Sequence, residues 1–239
     1  MKLVKPLLNC LMICLAFAIS PVQAKPIKLV TTDGVILHGQ YSTPRKLTEK
    51  HAAVILIHQG GSDHSEWNFM LPSLLRKNYV VLAYDVRGHG KSDKMANMGQ
   101  LFNDPTLAPK GLAAAIKYLK GKKQVDGTRI AVVGASIGGN LAAVGIANMD
   151  VKTAVCISGK TSAVFNLAGK KELALQSVYY ISSNENRGLR TKWAHELHKL
   201  TKEPRKITIV KSSEGHGVEI FKDEPNVEYQ VLQWLGETL

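Results

Sequence analysis

The chain has 239 residues, enough for one domain with a sizeable core. Apolar residues make up 45% and charged residues 21%, values that exclude a disordered chain, a fibre and a coiled coil. The formal charge is +12, but basic and aromatic residues are not interleaved, so no nucleic-acid partner is expected.

Residues 1–24 read as an export signal. Lys2 and Lys5 form a charged start, Leu7 to Ile19 is almost wholly apolar, and Val22-Gln23-Ala24 offers short side chains where a signal peptidase reads. The apolar stretch is shorter than the roughly 20 residues of a spanning helix. The expectation is a single mature domain, residues 25–239, periplasmic or secreted and not stably inserted in a membrane. Cys10 and Cys14 lack the preceding small residue of a lipoprotein signal and would leave with the leader. Only Cys156 then remains, so no internal disulfide is expected. It sits in the apolar run Thr153-Ala-Val-Cys-Ile and reads as a buried strand residue. Loss of Lys2 and Lys5 leaves a charge of +10. The densest basic run, Lys117 to Lys123, reads as a solvated helix end with cations near its C-terminus.

In chain order, Ile27 to Thr31 and Val35 to Tyr41 flank Asp33-Gly34, a two-residue hairpin signal. Ala52 to Ile57, Tyr79 to Tyr84 and Arg129 to Val133 are short continuous apolar runs, as strands buried on both faces should be. Trp67 to Leu75 has helical spacing, and Lys110 to Leu119 is amphipathic. A small-residue helix is expected from about Gly138 to Ala147. Strands follow at Thr153 to Ile157, Val178 to Ile181 and Lys206 to Val210, and helices at Leu189 to Leu200 and Val227 to Leu235. This order predicts an α/β fold: a mostly parallel twisted sheet of about eight strands, helices on both faces and a leading antiparallel hairpin. In such sheets reactive groups lie at the carboxyl ends of the strands.

After the Arg129–Val133 strand comes Gly134-Ala-Ser136-Ile-Gly138-Gly139. G-x-S-x-G between a strand and a helix forces a sharp turn that lifts the serine hydroxyl above the sheet. Flanking glycines leave room for that turn, and the Ile137 N–H falls at a helix N-terminus, free to bind a developing oxyanion. Ser136 is therefore the expected nucleophile.

With this motif in this position the chain resembles the alpha/beta-hydrolase family, over nearly all of residues 25–239. His58-Gln-Gly-Gly-Ser62 resembles the family loop that supplies a second oxyanion N–H. The matching donor is Gly60, or Gln59 if the register slips by one; the family usually has His-Gly here, so Gln59 is a departure. His58 is expected to support that loop. Asp85-Val-Arg-Gly-His-Gly-Lys-Ser92 resembles a structural turn, which implies loop hydrogen bonding and charge pairing for Asp85, Arg87 and His89. Gly215-His216-Gly217 matches the family's late histidine, and a ring with a pKa near neutrality suits the general base a serine needs.

The family's acid lies just beyond the strand read as Val178 to Ile181. Here that stretch is Ser182-Ser-Asn184-Glu185-Asn186-Arg187, and the usual position falls on Asn186. Glu185, beside it and one methylene longer than aspartate, is the candidate acid. Asn186 stays open as a hydrogen-bonding substitute.

The resemblance implies a serine hydrolase, cleaving a small-molecule or polymer ester or a thioester, with no cofactor and no metal. A peptidase of the same fold, or a non-catalytic binding protein on this scaffold, are the alternatives. About 20 residues separate the Ile157 and Val178 strands, too few for a large cap. Residues 93–109 are expected to form one wall of the site, with Met95, Met98, Leu101 and Phe102 as apolar contacts.

Overall fold

A computed structural model describes residues 23–45, 47 and 49–239. Eight strands form one sheet: β1 (Gln23–Val30), β2 (Ile36–Thr43), β3 (His51–Ile57), β4 (Val80–Tyr84), β5 (Val125–Ala135), β6 (Thr153–Ile157), β7 (Leu175–Ser183) and β8 (Thr201–Val210). Their spatial order is β1-β2-β4-β3-β5-β6-β7-β8. β1 and β2 run antiparallel, and β4 to β8 with β3 are parallel. Seven helices accompany them: α1 (Leu71–Arg76), α2 (Ala108–Lys120), α3 (Ile137–Asn148), α4 (Thr161–Ala168), α5 (Leu189–Leu200), α6 (Ile220–Asp223) and α7 (Asn226–Thr238). β1 begins at Gln23, two residues ahead of the expected mature start; the remainder of the expected leader lies outside the described residues. Among the described residues no helix is long and apolar enough to cross a membrane.

The continuous apolar runs serve two cores at once, because successive side chains of a strand leave opposite faces. Ala53, Ile55 and Ile57 of β3 join Ile130 and Val132 of β5 against α2, α3, α4 and α5. Ala52, Val54 and Leu56 join Ala131 and Val133 against α1, α6 and α7. Cys156 is buried in the first of these cores, where burial pushes its thiol up to about 12. That removes the thiolate a nucleophile would need.

Two local readings are corrected. The hairpin loop has three residues, not two: Thr31 N–H donates to Val35 O, and Gly34 N–H donates to Thr31 O. Gly34 takes φ 81, the left-handed position that closes a three-residue loop. Trp67 to Leu75 is not one helix but a 3-10 turn, His64–Trp67, followed by the short α1, whose first turn carries Pro72. The connection after β6 holds α4, whose Val164 and Leu167 pack into the core rather than forming a lid.

The turn at Asp85 to Ser92 ties these layers together. Arg87 donates from Nη1 and Nη2 to both carboxylate oxygens of Asp33, at 3.0 and 3.2 Å, so the hairpin is pinned to the end of β4. Arg87's hydrogen bond to Asp33 leads the effects that hold the Asp33 carboxyl well below its usual range. Asp85, 1% exposed, accepts from the His64 and Lys91 backbone N–H groups and from His64 Nδ1 at 2.6 Å. Burial raises its carboxyl, but those hydrogen bonds outweigh burial and leave it at about 2. Its contribution is therefore fully present above the ordinary value near 4 and is lost as pH falls towards 2. Asp85→Asn is expected to cost about 1–2 kcal/mol at pH 7, allowing for solvent screening, and almost nothing near pH 2. Urea unfolding at the two pH values checks this.

Candidate active site

β5 ends at Ala135 and α3 begins at Ile137, which leaves Ser136 alone to turn the chain. It does so at φ 54 and ψ −111, a conformation that costs a non-glycine residue on the order of 1–3 kcal/mol. The turn is anchored by the Ser136 N–H, which donates to Ile157 O at 2.9 Å, and by the Ser136 carbonyl, which accepts from Asn140 N–H. Glycine is required around it for closeness rather than for φ. A methyl on Gly134 would overlap the Gly138 carbonyl, and one on Gly138 would overlap the Ile57 carbonyl. Ile137 is the first residue of α3, so its N–H has no acceptor within the helix.

The loop after β3 faces the same sheet edge. His58 is fully buried and neutral: the Val86 N–H donates to Nε2 at 2.9 Å, so the ring hydrogen sits on Nδ1, which donates to Gln59 O at 2.7 Å. Burial lowers its pKa to about 4. The Gln59 N–H donates to Glu66 Oε1 at 3.0 Å, and the Gln59 side-chain oxygen accepts from Val218 N–H at 3.3 Å. Gln59 is thus committed at both ends, while the Gly60 N–H has no acceptor among the described residues. Of the two donor positions read from the sequence, Gly60 is the one whose amide remains available. Glu66 is half-buried, and burial raises its carboxyl against the opposing hydrogen bonds from Ser62 and Gln59.

The histidine loop follows β8. His216 Nδ1 lies 2.6 Å from Glu185 Oε2, so the carboxylate accepts and the ring hydrogen is on Nδ1. Nε2 is then the nitrogen left for proton transfer. Glu219 accepts the His216 backbone N–H at 3.0 Å. Gly217, at φ 59, lets the loop press onto the elbow: a methyl there would lie 3.3 Å from Ala135 Cβ and would overlap the Gln59 side-chain oxygen. The Gly217 N–H donates to Ser158 Oγ at 3.0 Å. No hydrogen bond joins Ser136 Oγ to His216 among the described residues; in ligand-free sites of this kind such contacts are commonly long and tighten with substrate. Asn186 opens the short turn Asn186–Gly188, and its side chain lies outside the described residues.

The expected wall at residues 93–109 reaches the site only in part. Phe102, 36% exposed, would lie 3.8 Å from a methyl on Gly60. Leu101 is instead fully buried in the core, Met95 packs against that core, and Met98 covers Gly88. Leu101 is the buried residue of a 3-10 turn, Met98–Phe102, while Met98 at its start stays exposed. A larger opening lies on the other flank. A cleft of about 790 Å³ runs beside the Gln59–Val218 contact, with Glu66, Phe69 and Phe221 in its wall. Phe69 is 42% exposed, stacks on Trp67 at a ring distance of 5.9 Å and meets Phe221 at a tilt, 5.1 Å away. Phe69 and Phe221 are 152 positions apart in the chain, which sequence spacing could not join. Asp63, His64 and Asp85 also converge, with ligand-type atoms within 4.8 Å of one another. Their atoms are engaged in the loop clasp described above, Asp63 capping the His64–Trp67 turn through Ser65 N–H.

A model of the alpha/beta hydrolase fold matches residues 52–201, more than half of the chain. The chain belongs to the alpha/beta hydrolase fold family. The match spans the elbow and the Glu185 loop and ends before His216. YfhR, an uncharacterized protein of Salmonella typhi, is 30% identical over 130 residues, covering 53% of this hydrolase-fold chain and 42% of YfhR. The chain thus spans less than half the length of that relative. Among solved structures, the Pyrococcus furiosus esterase Pf2001 superposes with a TM-score of 0.72 at 18% identity, covering 91% of this chain and 93% of that one. DcsB, solved with a substrate analogue, gives 0.76 at 14% identity, covering 90% and 100%. At these identities the superpositions establish the fold.

Proposed function

We propose that the protein is a serine hydrolase that cleaves carboxylic esters or thioesters through an acyl-enzyme on Ser136. The observation that carries this reading is the Glu185–His216 contact at 2.6 Å, held on the sheet edge where Ser136 turns the chain at φ 54. His216 Nε2 takes the Ser136 proton as Oγ attacks the carbonyl. Glu185 fixes the ring and stabilises the imidazolium that forms. The Ile137 and Gly60 N–H groups receive the oxyanion. The imidazolium then protonates the leaving group, and water, deprotonated by the same ring, releases the acid. The reaction needs no cofactor and no metal. The leader read at residues 1–24 supports export to the periplasm or beyond, where a small-molecule or polymer ester would be met.

The cleft beside Phe69 bounds the substrate. Its volume is within the range of small-molecule sites, and its exposed aromatic shelf favours an apolar acyl chain or ring over acetyl. Purified protein is expected to turn over p-nitrophenyl butyrate and octanoate, and Ser136→Ala is expected not to. Phe69→Ala should raise KM for octanoate about fivefold to tenfold, matching the loss of roughly 1 kcal/mol of apolar contact, and leave acetate within twofold. Equal effects on both esters would remove the cleft from the substrate path.

A further inference from the structure

Glu185 stands one residue before the usual acid position, on the loop after β7, so strand geometry alone does not aim its carboxylate. Arg190, in the first turn of α5, reaches it. Arg190 Nε lies 3.4 Å from Glu185 Oε2, the same oxygen that meets His216 Nδ1. Arg190 Nη1 donates to Ser158 O at 3.2 Å, and its guanidinium lies over the Trp193 ring at 5.0 Å from the centroid. The fork is therefore held by a carbonyl and an aromatic face while its Nε side meets the acid.

Ser158 extends the chain of contacts. It is 1% exposed, takes φ 51 at the end of β6, and uses Oγ to accept the Gly217 N–H. Arg190 and Ser158 thus link three segments, the Glu185 loop, the β6 end and the His216 loop. The buried Arg190 Nε has no hydrogen-bond partner, so its tie to Glu185 is ionic rather than a directed bond.

We propose that Arg190 is a positioning residue that holds the Glu185 carboxylate against His216. The inference rests on the hydrolase reading above. Among the described residues, charged groups that meet the pair include Arg190 from α5, Glu219 from the turn after His216, and Glu66 from the His64–Trp67 turn. Arg190 shares the oxygen His216 uses. Its removal takes away a restraint on the carboxylate. A lysine would restore the charge but not the planar fork.

The test is a kinetic comparison of Arg190→Met, Arg190→Lys, Glu185→Gln and the Arg190→Met/Glu185→Gln pair on one p-nitrophenyl ester, with thermal melts to verify folding. Arg190→Met is expected to lower kcat about tenfold to a hundredfold with KM within twofold, an effect on the chemical step. Arg190→Lys should restore only part of kcat. In the Glu185→Gln background, Arg190→Met should add less than about twofold, since the two residues act through one contact. A full additive loss in that background, or a loss carried by KM with kcat unchanged, overturns the proposal while leaving the hydrolase reading intact. Wild-type protein with no Ser136-dependent turnover overturns both.

Discussion

Replacing His216 with alanine is expected to lower kcat/KM by about ten-thousand-fold or more while leaving the fold intact. The size follows from the chemistry: a serine hydroxyl is a poor nucleophile without a base in place, and members of such a constellation act as a unit. Ser136→Ala and His216→Ala should each cost about as much as the pair together. Glu185→Gln keeps the shape of the contact to Nδ1 but removes the charge that stabilises the imidazolium. It should cost between about a hundred- and ten-thousand-fold. Asn186→Ala is the discriminating control. If it lowers turnover while Glu185→Gln does not, the orienting residue is Asn186 and the 2.6 Å contact of Glu185 is structural only. Steady-state kinetics on a p-nitrophenyl ester measures all four.

Gly138→Ala is expected to destabilise the protein by about 3 kcal/mol, the upper part of the range for overpacking, and to abolish turnover. A methyl at Gly138 would overlap the Ile57 carbonyl at the end of β3. That neighbour is backbone in the middle of the sheet, paired with β4 and β5, and has no rotamer to change. The helix must therefore back away from the sheet, taking the Ile137 N–H with it. A melting temperature lower by roughly 6–12 °C would accompany the loss. Gly236→Ala sets the comparison. Nothing lies near its added methyl, and it belongs to α7, so helix propensity should make the change neutral or stabilising by about 0.5 kcal/mol. A Gly138→Ala protein as stable and active as wild type would show that the elbow tolerates displacement of α3.

What the sequence made legible, and what it hid, follows from the range of the interactions. Strands buried on both faces announce themselves as continuous apolar runs, and β3, β4, β5 and β6 lie where Ala52 to Ile57, Tyr79 to Tyr84, Arg129 to Val133 and Thr153 to Ile157 placed them. The elbow was legible because its requirement is local: a strand, a serine between glycines, and a helix. Short elements were not. α4 has eight residues in a connection where no element was expected, and Pro72 splits the Trp67–Leu75 pattern into a 3-10 turn and a brief helix. That the Gln59 N–H is engaged depends on Glu66, whose carboxylate takes it through a turn no motif describes. The aromatic shelf of Phe69 and Phe221, and the guanidinium of Arg190 on Glu185, arise from tertiary packing and leave no periodic trace.

The central claim is that Ser136 is an activated nucleophile, and covalent trapping tests it most directly. Purified protein is treated with a fluorophosphonate and digested, and the modified peptide is sequenced by mass spectrometry. One adduct on Ser136, lost in Ser136→Ala and slowed at least a hundredfold in His216→Ala, is the predicted result. No labelling of folded wild-type protein, or labelling of another residue that persists in Ser136→Ala, would contradict it.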